Sequence, residues 1–189
     1  MKLAKVPVLI SLLLVILQWA PPARAQEAHL SDIVVTNTRD YLLLYFSVNG
    51  CFTPEMNRAI ESGINTTFTF FVTLYEKRDF WWDRKMADIE INHSVKYDNL
   101  KKIFEVRLSE ENQQQVHVLK GFEEVKRLMA DVVALKVTPL HNLTKGGRYR
   151  ISMMAQLDKI ELPLSLHYVF FFLSLWDFET DWYSVDFRY

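Results

Sequence analysis

The chain has 189 residues, half of them apolar, with 22 Lys and Arg against 23 Asp and Glu and a single cysteine. This balance lacks the basic field that nucleic-acid binding requires. A lone Cys51 excludes an intramolecular disulfide, so core packing has to hold the fold, and the thiol reads as a small buried apolar group.

At the N-terminus Lys2 and Lys5 precede the apolar run VPVLISLLLVILQWA and the small-residue motif Ala23-Arg24-Ala25. That is the three-part layout of a secretory signal peptide, with cleavage expected after Ala25 and an uncleaved membrane anchor as the alternative. The leader holds three of the basic residues and no acidic one, so residues 26–189 carry a net charge of −4. Their number suits one domain. Pro and Gly are scarce, so no linker divides them, and the polar patch SEENQQQ at 109–115 is only turn-length.

Alternation of period two dominates the remainder and predicts strands. HLSDIVVTNT and YLLLYFSVNG flank Arg39-Asp40 and read as an opening hairpin. Thr53, Pro54 and Gly63 bracket a short helix as cap, first residue and stop. In NTTFTFFVTLYE, Phe68, Phe70, Val72 and Leu74 share one face, and Thr67, Thr69, Thr73 and Tyr75 the other, as in a half-buried strand. ADIEINHSVKY sends Ile89, Ile91, His93, Val95 and Tyr97 inward, and KIFEVRL follows the DNLKK turn. Phe122, Val125, Leu128, Met129, Val132 and Val133 fall at helical spacing and predict an amphipathic helix through Val133. RYRISMMAQLDK returns to strand pattern, with Tyr149, Ile151, Met153, Ala155 and Leu157 inward. The apolar run Leu164–Trp176 is shorter than the roughly 20 residues of a membrane helix, so a buried strand or core segment is expected. The fold class is mainly β: an antiparallel β-sandwich with a short N-terminal helix and one amphipathic helix packed on it.

Catalytic and metal signatures are weak. Asp177, Glu179 and Asp181 alternate like the opening of a calcium loop, but Trp182 stands where a sharp turn needs glycine. His93 lies on an apolar strand face without a second His or Cys at ligand spacing, as a core histidine does. No GxSxG elbow or Cys-plus-His context is present. No catalytic residue, metal or cofactor is therefore expected.

The stretch RDFWWDR, residues 78–84, places three aromatic rings between charged residues. Its rings can close the end of the core, with Arg78 or Arg84 stacked on Trp and paired to Asp79 or Asp83. They can instead present a platform to a glycan or a partner protein. Side chains of an extended chain alternate, so one of Trp81 and Trp82 is expected inside and the other outside. The candidate interaction surface comprises Arg78, Trp81, Trp82, Asp83 and Arg84, together with Trp176 and Trp182.

The leader, the Leu-rich opening strands, AIESGINTTFTFFVTLY, FWWDRKMADI, VKYDNLKKIFEV, FEEVKRLM, GGRYRISMMAQLDKIELP and LWDFETDWY follow one another along the chain. In that order they resemble bacterial exported proteins grouped as domain of unknown function 4390. The resemblance spans essentially all of residues 26–189, its most distinctive blocks being Trp81-Trp82-Asp83, Tyr149 to Pro163, and the tail Trp176 and Trp182. It implies a periplasmic location and a signalling or envelope role beside membrane sensor kinases, but no chemistry. The tail YVFFFLSL is more apolar than that family's pattern, which keeps peripheral membrane contact open. Two functions fit these features. One is a non-enzymatic exported interaction module with an envelope or membrane protein partner, such as a sensor kinase. The alternative is a binding module for an envelope lipid or glycan.

Overall fold

A computed structural model describes residues 28–110, 113–158 and 179–189. Within them, two antiparallel sheets and two α-helices enclose a shared apolar core. The leader and the Leu164–Trp176 run lie outside the described residues.

The opening hairpin forms as expected, with β1 at His29–Asn37 and β2 at Tyr41–Asn49, closed by the Thr38 N–H donating to the Tyr41 carbonyl at 2.9 Å. Helix α1, Pro54–Glu61, starts where the sequence signals it: the Thr53 hydroxyl accepts from the Met56 N–H at 3.4 Å. Gly63 follows with φ of 89°, a left-handed stop that a Cβ would strain. Next come β3 (Thr66–Glu76), β4 (Arg84–Asp98), β5 (Ile103–Glu110) and β6 (Gln113–Leu119). Helix α2 (Phe122–Ala130) leads into β7 (Asp131–Pro139), and β8 (Arg148–Leu157) and β9 (Tyr183–Arg188) complete the chain order.

Strands pair as β1-β2-β7 in one sheet and β6-β5-β4-β3-β8-β9 in the other. The inward rows of β3, β4 and β8 meet the inner face of β2, where Phe46 and Phe70 pack edge to face with centroids 5.8 Å apart. Phe68, Phe70, Val72, Leu74, Ile91, Val95, Tyr149, Ile151 and Met153 are all buried in that layer. Such burial, at roughly 25 cal/mol per Å² of apolar surface, dominates the folding free energy.

Three segments depart from the plain reading of their pattern. The turn-length polar patch at 109–115 reaches into two strands, since Ser109 and Glu110 end β5 and Gln113 opens β6. An edge strand facing water tolerates glutamines, and Val116 and Val118 there are exposed as well. The amphipathic helix stops at Ala130, where Asp131 turns extended, so β7 sends Val132 inward and leaves Val133 65% exposed. Apolar residues one and two positions past a helix end mimic helical spacing, yet in a strand they face opposite ways. Leu128 is partly buried, and Val125 and Met129 are the helix's buried anchors. Finally, β3 is more than half buried: Thr69 and Thr73 on its second face are enclosed, their hydroxyls bonded to Asn92, Asp158 and Asp88.

Candidate functional site

Residues 77–83 form the tip of the β3–β4 hairpin. The pairs from Thr66↔Val95 to Glu76↔Arg84 hold its two strands in one register, with a shift between Leu74 and Tyr75. Among the described residues β5 pairs with β4 from Ile91 to Asp98, so there β4 residues 84–90 have β3 as their one strand partner and the hairpin projects beyond the β5 and β6 side of the sheet. On the other flank β8 supports β3 up to Glu76↔Tyr149, and the Lys77 N–H donates to the Arg148 carbonyl at 2.8 Å.

The tip itself departs from the expected division of labour. Phe80, Trp81 and Trp82 are 94%, 78% and 91% exposed. The alternation argument fails because these residues lie between strands, where no pleat directs one ring inward. Among the described residues no cation stacks on either Trp; the cation–π contacts are Lys126 on Phe122 and Lys136 on Tyr41. Arg78 and Arg84 instead share Glu76, at 3.6 and 3.0 Å. Asp79 pairs with Arg148 across the hairpin base, and Asp83 accepts the Arg78 N–H at 3.4 Å. Lys77 and Arg150 both bind Asp186 of β9, at 3.2 and 2.6 Å, which holds that carboxyl down at about 2. The backbone is fixed from below while the rings stay in water.

Of the remaining candidates, Trp182 is 55% exposed and precedes β9, whose first residue pairs with Met153. It therefore stands some ~16 Å along β8 from the hairpin base, at 3.2–3.4 Å per residue, and is not brought to the tip. With Ala28, His29 and Leu30 it lines a cavity of about 440 Å³ between the β1 and β9 edges. Trp176 and Asp177 lie outside the described residues.

The opposite seam, between the β6 and β7 edges, holds a cavity of about 540 Å³ that sequence reasoning missed. His93, His117, Arg127, Asp131 and Lys136 line it, and these residues are far apart in sequence, joined only by the topology. His93 is 2% exposed, its Nδ1 lies 3.2 Å from the Met129 carbonyl, and its ring packs edge-on to Phe70. Burial pushes its pKa down to about 4, so the ring is neutral at physiological pH. The Nε2 of His117 is enclosed with no hydrogen-bond partner. Burial likewise raises the Cys51 thiol to about 12, which keeps it protonated and inert. No group of three or more His, Cys, Asp or Glu is placed to hold a metal ion among the described residues. No helix among them is long and apolar enough to cross a membrane.

Fold and surface together define a mainly β protein that, among the described residues, carries a protruding aromatic hairpin. The chain belongs to the family described as domain of unknown function (DUF4390), whose pattern matches residues 25–186. No curated protein and no solved structure matches it.

Proposed function

We propose that this protein is an exported, periplasmic, non-enzymatic interaction module, a two-sheet β-sandwich that docks through Phe80, Trp81 and Trp82. One observation carries the reading: three adjacent large aromatic side chains stand in water on a hairpin tip. Isolated exposed apolar residues are ordinary, but a contiguous group of rings keeps a cost in water that contact with a partner removes. Aromatic residues also supply most of the energy in interfaces relative to their number. The leader, Lys2 through Ala25, supports export. Intact mass of the envelope-located protein tests that part, and retention of Met1–Ala25 argues for an anchored form instead.

Photo-crosslinking tests the docking surface. A photoreactive residue placed at Trp81 is expected to give envelope adducts, and the same residue at Leu100 is not. Leu100 is 96% exposed and lies in the β4–β5 turn, at the other end of β4. Equal labelling from both positions, or none from either, removes the tip as a docking element.

A further inference from the structure

The charges around the hairpin base indicate what the tip docks on, an inference that rests on its being a docking element at all. At this end of the six-stranded sheet stand Lys77, Arg78, Arg84, Lys85, Arg148 and Arg150, together with Lys145 and Arg188 at the adjoining ends of β8 and β9. Five carboxylates, Glu76, Asp79, Asp83, Asp88 and Asp186, are interspersed with them. Eight cations against five anions give this end a net side-chain charge of +3, whereas the other described residues have ten cations against fourteen anions, a net of −4. Glu76 and Asp186 each serve two cations, so the surplus is built into the ion-pair network. Charge is thus segregated among the described residues: the end that carries the projecting Phe80, Trp81 and Trp82 is also the cationic end.

We propose that Phe80, Trp81 and Trp82 insert into the interfacial layer of an anionic lipid bilayer, with the surrounding Lys and Arg against its headgroups. Indole and phenyl rings favour the boundary between headgroups and acyl chains. A convex tip needs no complementary pocket there, and basic side chains just behind it gain from the negative surface potential of acidic lipids. The rim of a protein interface is polar as well, so what favours a bilayer is the sign of the collar, a surplus of cations around convex, exposed rings. The ion pairs at the base also fix the loop before contact, so little ordering is left to be done on binding.

The test uses the full chain with an environment-sensitive dye on Trp81→Cys, and on Leu100→Cys as the control. Cys51 is buried and does not compete for the label. The probes are vesicles of phosphatidylcholine alone and of phosphatidylcholine mixed with phosphatidylglycerol, the mixture carrying brominated acyl chains in a parallel series. The dye at position 81 is expected to shift to the blue and be quenched by the brominated lipid on the mixed vesicles. The signal should fall several-fold with added salt or on the neutral vesicles, and the dye at 100 should report water throughout. Local readout at two positions separates tip insertion from binding through the leader. Equal insertion of position 81 into both vesicle types overturns the anionic-lipid assignment. No insertion into either overturns the bilayer altogether; envelope adducts confined to position 81 would then leave the interaction module standing with a protein partner. Unchanged thermal melts of the two labelled variants show that the fold is intact in each case.

Discussion

Acid should weaken this protein through His93 before it reaches the carboxylates. In the folded state the ring is enclosed against Phe70 and the end of α2, and its pKa is pushed down from 6.5 to about 4 by burial. The unfolded chain therefore binds a proton that the native state refuses throughout that interval, and stability rises with pH across it. The contribution is fully present above about pH 6.5, drains away as pH falls toward 4, and levels off below. At 1.36 kcal/mol per unit the whole interval is worth on the order of 3 kcal/mol, a large share of the stability of a domain this size. Urea melts of the native protein at a series of pH values between about 7.5 and 4.5 should show the midpoint falling, with most of the loss below about 6. His93→Gln is expected to be less stable at neutral pH, because the cavity-facing ring is lost, yet nearly flat across the same interval. The strongly held Asp186 carboxylate, by contrast, loses its contribution only as pH falls from 3.8 through about 2, outside the window. Parallel pH slopes for the native protein and the variant would refute the assignment to His93.

Three further outcomes follow from the packing. Phe70→Ala should cost about 3 to 5 kcal/mol by opening the joint between the sheets, whereas Phe80→Ala should fall within about 0.5 kcal/mol of the native protein; thermal melts of the pair check this. Met129→Ala should cost about 2 to 5 kcal/mol, with Val133→Ala nearly silent, and equal losses would restore a helix running through Val133. Gly147→Ala should destabilise by about 1 to 3 kcal/mol, since a Cβ there would lie 2.8 Å from both the Thr144 carbonyl oxygen and the Tyr149 hydroxyl; a neutral melt would mean that the turn before β8 yields.

Strands buried on one face and central in a sheet were readable from the sequence, because their alternation is enforced by the core. β3, β4 and β8 carry uninterrupted inward rows, and Tyr149, Ile151, Met153, Ala155 and Leu157 are buried as expected, with Met154 buried as well. Edge strands were harder. β6 opens on three glutamines and faces water on much of its surface, and β9, Tyr-Ser-Val-Asp-Phe-Arg, alternates apolar and polar residues but is only 6 residues long with no fully buried member. The α2–β7 junction hid for a different reason: no glycine or proline marks the switch at Asp131, and the strand begins in the register of the helix's apolar stripe. The family membership rested on the order of blocks along the whole chain and did not depend on any of these boundaries. Of the candidate surface, the sequence located the aromatic tip but not its exposure. The β6–β7 cavity left no local trace, since His93, His117, Arg127 and Lys136 meet only after both sheets have formed.

Exposure of the rings also explains the architecture beneath them. A flexible loop bearing three large aromatics would fold them back onto the nearest apolar surface, removing the cost of keeping them in water. Here that collapse is opposed on both sides. The hairpin is held in register down to Glu76↔Arg84, and Arg148 binds Asp79 on the far side of the tip. The described surfaces beside the tip are charged, with Lys77, Arg78, Arg84 and Arg150 occupied by Glu76 and Asp186. Each such exposed ion pair contributes only about 0 to 1 kcal/mol to stability, so a network of them is poorly accounted for as a device for holding the fold. As a polar collar it has a second effect: the rings find no apolar seat among the described residues, which leaves them open to the proposed docking.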